Sequence, residues 1–410
     1  MKKILFLLLL PALAACHHPD WEMVDFDGYE TFHVKSVQLG NLFLDNGALN
    51  PDIQLMEEPS LDEEPATKVA VTDAVSLVRD MVGVVNSNAV YHISGTYTGH
   101  DVDGKTPLTL SGKLVLPKDG AVKNLIIVSH YTIGANYESP SETFPLESIF
   151  AAKGYAVAIA DYIGYGVTSH LIHPYMHTKS TAQSVVDMAL AVKPYLEHIG
   201  RSPESEEVIL VGYSQGGSTT LAVMDLIQEE YKKVLPIKKV FAGAGPYDLA
   251  ATFDISMEWD KTGIPCAIPM IVQGVNYGEK LGLRMEDFFE GALLDNYQEW
   301  INSKAYTVKE INRLINVNSL HEIMTENGRD KTNPVTAMLY QSLMANSVLN
   351  FSPNSPIYFF HSMDDKTVPF INSLKAEQQF KGMNAKFDFD HYGTHGMGCI
   401  RFILTVYNNL

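Results

Sequence analysis

Cysteine is scarce in this 410-residue chain: there are three, at Cys16, Cys266 and Cys399, too few for a disulfide scaffold. Basic residues are also short, 30 Lys and Arg against 48 Asp and Glu. The formal net charge of −18 argues against nucleic acid as a partner and favours solubility. Beyond a short apolar stretch at the start, no segment approaches the roughly 20 residues needed to cross a bilayer. Internal repeats and low-complexity tracts are absent, so solenoid and fibrous architectures are excluded too.

What is present begins with an address. Lys2 and Lys3 precede an apolar core over 4–10, and Leu13-Ala14-Ala15-Cys16 ends it with small residues and a cysteine. The layout is that of a secretory signal over 1–15. Its cleavage site resembles the bacterial lipoprotein box, which implies a lipid on Cys16 and a soluble body held at the membrane of the cell envelope. Cys266 and Cys399 then remain, and in an exported protein a bridge and two separate buried thiols are equally open.

Apolar residues make up 46% of the chain and charged ones 19%, the balance of a globular protein with a sizeable core. From 16 to about 65 the chain is polar and acidic, which predicts a tether and an irregular arm. Helical spacing of apolar residues follows over 69–84. Two strands, 91–97 and 108–116, flank Asp101-Val102-Asp103-Gly104. That string lacks the later acidic ligands of a calcium loop and predicts a hairpin turn. Short apolar strands at 125–128, 156–160, 208–211 and 239–242 then alternate with helical patterns, notably 147–153 and 181–198. Such alternation means a mostly parallel sheet covered on both faces, the topology of an α/β-hydrolase. Between 247 and 353 the rhythm becomes helical, at 267–281, 285–294, 308–315 and 335–344, before a strand at 357–360 resumes the sheet. The expected organisation is therefore a core over 66–246 and 354–410 with a helical cap over 247–353, inserted after the sixth strand. Met257, Met270, Met285, Met324, Met338, Met344, Phe253, Trp259, Phe288 and Phe289 give the insertion either an oily lining for an acyl chain or its own core.

The strand at 208–211 runs into Gly212-Tyr213-Ser214-Gln215-Gly216-Gly217 and then into a helical stretch. A serine on a sharp strand-to-helix turn needs small neighbours, because the backbone is strained and the helix must approach closely. A serine hydroxyl is a weak nucleophile at neutral pH and needs a base, itself oriented by a third group. After the strand at 357–360 comes His361-Ser362-Met363-Asp364-Asp365-Lys366-Thr367-Val368-Pro369; an aspartate three residues ahead of Val-Pro resembles the acid site of α/β-hydrolases and selects Asp365, with Asp364 the alternate. After the strand at 385–389, His395 stands just before the closing helix and is the candidate base, with His391 the second choice. The order Ser214, Asp365, His395 is the one this fold uses. The oxyanion that forms during acyl transfer calls for two N–H donors: the amide of Gln215 at the helix start, and one from Tyr131 or Thr132 in the loop after the strand at 125–128. His130 is expected to be a structural hydrogen-bonder.

Asp161-Tyr162-Ile163-Gly164-Tyr165-Gly166, His173-Pro174-Tyr175-Met176 and Gly-Tyr-Ser-Gln-Gly-Gly together resemble the secretory lipase branch of the α/β-hydrolases, the Candida lipase A-type group. The likeness covers about 91 to the C-terminus. The resemblance implies hydrolysis of a small-molecule or lipid carboxylic ester through an acyl-enzyme, with no metal or organic cofactor. One departure is His130-Tyr131 where many relatives carry His-Gly. Two alternatives are a serine peptidase of the same fold and a non-catalytic surface-binding lipoprotein. Acyl length, the alcohol part and oligomeric state are not legible in the sequence.

Overall fold

The computed structural model describes Phe26 and residues 28–40, 89–258 and 263–410; the signal segment, Cys16, the predicted helix at 69–84 and Trp259 lie outside them. Nine strands form one sheet in the order β1-β2-β3-β5-β4-β6-β7-β8-β9. These are β1 (His33–Gly40), β2 (Val90–His100), β3 (Pro107–Pro117), β4 (Leu125–Ser129), β5 (Ala156–Ala160), β6 (Val208–Tyr213), β7 (Ile237–Gly243), β8 (Ile357–Ser362) and β9 (Ala385–Asp390). From β5 to β9 every pairing is parallel, and β1, β2 and β3 add antiparallel strands at one edge.

Every residue of β4, β5 and β6 is buried, as befits strands covered on both faces. Successive side chains enter different cores, following the two-residue period of a strand. Leu125 and Ile127 join one core with α2 (Thr178–His198), α3 (Gln215–Leu226) and α10 (Ile371–Phe380). Ile126 and Val128 join the other, under α1 (Ile149–Ala152) and α11 (His395–Asn409). The turn between β2 and β3 is closed by Asp103, whose Oδ1 accepts from the amides of Lys105 at 2.9 Å and Thr106 at 2.8 Å, the hairpin expected there.

Strand β1 lies within the stretch expected to be irregular. Its register with β2 shifts between Val34 and Ser36, and Val37 and Leu39 are exposed, so neither a clean alternation nor an apolar run marks it. It is anchored by Phe32, fully buried against Tyr195 with ring centroids 5.2 Å apart.

The insertion leaves after β7, the seventh strand once β1 is counted, and carries α4 (Leu249–Glu258), α5 (Ala267–Glu279), α6 (Gly291–Tyr297), α7 (Val308–Ile315), α8 (Glu326–Arg329) and α9 (Pro334–Ala345). The helix expected at 285–294 is instead a 3-10 turn, Met285–Asp287, followed by α6; between them Phe289 bridges to Met324. Phe253, Met270, Met285, Phe288, Phe289 and Met324 are buried together in the insertion's own core, while Met338 and Met344 are exposed. Of the two roles open to these residues, the described ones serve mainly to fold the insertion.

Candidate active site

Strand β6 ends at Tyr213 and is followed by Ser214, whose φ of 59° and ψ of −126° are strained for a side chain with a Cβ. The turn is held because the Ser214 amide donates to Gly243 O at 2.9 Å and the Gly217 amide to Ser214 O at 2.8 Å. Helix α3 begins at the next residue. A Cβ on Gly216 would stand 2.0 Å from Ser129 O, so only glycine lets the helix start lie against the end of β4.

Asp365 follows β8. Its Oδ1 accepts from the amides of Thr367 at 2.7 Å and Val368 at 2.9 Å, which fixes the carboxylate with one oxygen turned inward. His395 opens α11, capped by Thr394, and the Tyr213 hydroxyl donates to His395 O at 2.8 Å. His395 Nδ1 is 2.5 Å from Asp365 Oδ2, and His395 Nε2 is 2.9 Å from Ser214 Oγ. With its proton on Nδ1, facing the carboxylate, the imidazole presents a lone pair to the serine hydroxyl. All three side chains are buried. Burial alone would raise the Asp365 carboxyl, but the charge of His395 and the hydrogen bonds from His361 and His395 outweigh it and hold the group well below the usual carboxylate range.

The alternates stand apart. His391 Nδ1 pairs with Asp364 Oδ1 at 2.7 Å, and their side chains are 67% and 44% exposed, a surface ion pair.

Gln215 is the first residue of α3, where its amide is one of the helix's unpaired donors at the positive end of the dipole. Tyr131 and Thr132 lie in the loop after β4, and Thr132 Oγ1 is 2.8 Å from the Tyr175 hydroxyl. His130 lies 2.6 Å from Tyr131 O through Nδ1 and 3.2 Å from Asp161 O through Nε2, and burial pushes it down to about 4. Beneath it Tyr162, at a φ of 67°, stacks on the His130 ring at 3.9 Å and donates to His130 O. The insertion braces the same loop. The Asn136 amide donates to Lys304 O at 2.8 Å, and a Cβ on Gly134 would meet Tyr306 O at 2.5 Å.

Two buried histidines complete the surroundings, and sequence reasoning gave neither a site role. His361 Nε2 lies 3.1 Å from Asp365 Oδ2. His173 takes its proton on Nδ1, donating to Ile163 O at 2.7 Å, so its Nε2 accepts from the Gln215 side-chain amide at 3.1 Å. Both were visible only as residues of quoted motifs, His361 beside the acid and His173 at the head of His-Pro-Tyr-Met. Cys266 and Cys399 are separate buried thiols, and burial pushes Cys266 up to about 12. Among the described residues no group of three or more His, Cys, Asp or Glu could hold a metal ion.

A family model described as secretory lipase matches residues 141–399. Among solved structures, the rice cell wall degrading esterase LipA from Xanthomonas oryzae superposes with a TM-score of 0.68 at 22% identity, over 81% of this chain and 92% of that one. A putative hydrolase from Legionella pneumophila gives 0.72 at 19% identity, over 78% and 88%. Lipase A from Candida antarctica gives 0.56 at 17% identity, over 77% and 75%. At these identities the likeness establishes the α/β-hydrolase fold. No curated protein sequence matches the chain.

Proposed function

The chain belongs to the secretory lipase family and is a carboxylic ester hydrolase, and from that premise we propose that it works through an acyl-enzyme on Ser214. The observation that carries this reading is the unbroken contact from Ser214 Oγ to His395 Nε2 at 2.9 Å and from His395 Nδ1 to Asp365 Oδ2 at 2.5 Å. His395 takes the Ser214 proton as the oxygen attacks the ester carbonyl, and Asp365 stabilises the imidazolium that results. The tetrahedral oxyanion is met by the Gln215 amide and by one from Tyr131 or Thr132. His395 then protonates the departing alcohol. Water, deprotonated by the same imidazole, cleaves the acyl-enzyme to the free acid and restores the serine. The insertion acts as a cap over this site, a role supported by its contacts with the loop that carries Tyr131 and Thr132.

The test is hydrolysis of p-nitrophenyl acyl esters beside aminoacyl amides. Esters are expected to be the better substrates, with kcat/KM reduced about 10⁴-fold or more in Ser214→Ala. Amides hydrolysed faster than esters by the wild-type protein would turn the reading to a peptidase.

We further propose export and lipid attachment at Cys16, supported by the Leu-Ala-Ala-Cys string. The protein should then partition into detergent and move to the aqueous phase in Cys16→Ser. Aqueous partitioning of the wild-type protein would rule the anchor out.

A further inference from the structure

Asp365 Oδ2 faces two imidazoles at once. His395 Nδ1 is at 2.5 Å and His361 Nε2 at 3.1 Å, while Oδ1 is occupied by the amides of Thr367 and Val368. His361 stands on β8, fully buried, and its other nitrogen lies 2.7 Å from Ser373 Oγ on α10. A hydroxyl that donates to Nδ1 leaves the His361 proton on Nε2, directed at the carboxylate. The contact therefore has a defined polarity, running from Ser373 through His361 to Asp365, and it ends on the same oxygen that supports His395.

We propose that His361 is a positioning residue that fixes Asp365 and divides its charge with His395, thereby setting how low a pH the base still works at. The inference rests on the acyl-enzyme reading above. A carboxylate oxygen that already accepts one N–H is a weaker acceptor for a second, so Asp365 stabilises the His395 imidazolium less than a singly engaged aspartate would.

Other ionisable groups around the pair are few and differently engaged. Tyr213, under His395 from β6, spends its hydroxyl on His395 O. Cys399, on α11, is a thiol that burial raises. Asp364 and His391 neutralise one another at the surface, and Asp388 on β9 is taken by the Tyr392 hydroxyl at 2.5 Å. Just before α10 the ring of Phe370 stands edge-on to His361 at 5.4 Å, an apolar wall.

The pH profile of kcat/KM on a soluble ester tests this, in wild type, His361→Phe, His361→Gln and Ser373→Ala. His361→Phe removes the donor, and the acidic limb should move up by about 0.5–1 pH unit, with a loss of kcat from a less firmly held Asp365. Glutamine places an amide N–H roughly where Nε2 stands and should return the limb towards wild type. Ser373→Ala removes the donor to Nδ1 but leaves the Nε2 proton held by the Asp365 carboxylate, so the limb should stay near wild type. If His361→Phe does not fold, His361→Leu, which also lacks the donor, decides. A limb that coincides with wild type in folded His361→Phe or His361→Leu would overturn the proposal, whatever happens to kcat. Ser214-dependent turnover in the wild type separates that outcome from failure of the acyl-enzyme reading itself.

Discussion

Glu147 sits in the 3-10 turn Leu146–Ser148, buried near Cys399 and Tyr162, and burial pushes its carboxyl up to about 7. The native state therefore keeps its proton to higher pH than the unfolded chain, whose carboxyl ionises near 4.5. Between about 4.5 and 7 the native form holds the extra proton, so this residue erodes stability as pH rises through that window; above it the full cost is present. Glu147→Gln should leave stability little changed at pH 4 and raise it by roughly 1–3 kcal/mol at pH 8, read as the midpoint of urea unfolding. An equal effect at both pH values would show that the carboxyl is not held neutral. Asp365 has the opposite sign. Its displacement lies below the ordinary carboxylate range, so its contribution is present above the unfolded value near 3.8 and is lost only in strong acid.

At the scale of elements, the parts of the site that the sequence revealed are those tied to strand ends. Ser214, Asp365 and His395 each follow a strand or precede a helix marked by an apolar run or by glycine. The structure brings these three together because β6, β8 and β9 run parallel, so their C-terminal ends lie on the same side of the sheet. What stayed hidden depends on tertiary contact. His173 meets Gln215 across 42 residues of sequence, and no local pattern encodes that meeting. His361 is four residues from Asp365, but a histidine at the end of a buried strand reads as ordinary core until its ring nitrogen is seen to face the acid. Strand β1 escaped because a register shift breaks its alternation and two of its three apolar residues, Val37 and Leu39, are exposed. The Met- and Phe-rich insertion was legible as helices but not in its purpose: the same residue types fill a core and line an acyl pocket, and only burial in a common cluster separates the two.

For the whole molecule, the division is between a sheet whose strand ends carry the proposed triad and an insertion that braces the loop after β4. Gly134 lies against residues 306–308, and Lys304, buried in the insertion, donates to Leu171 O at 3.2 Å as its backbone carbonyl holds Asn136. These contacts tie the loop that carries Tyr131 and Thr132 to the insertion. The net charge of −18 gives no steering towards anionic substrates.

The central claim is that Ser214 alone becomes covalently reactive. Treatment of the folded protein with a fluorophosphonate, followed by peptide mass mapping, tests it most directly. The account predicts one adduct per chain, on the peptide containing Ser214, absent in Ser214→Ala and strongly slowed in His395→Ala. No adduct on the active wild-type protein, or an adduct on a different residue that persists in Ser214→Ala, would contradict it.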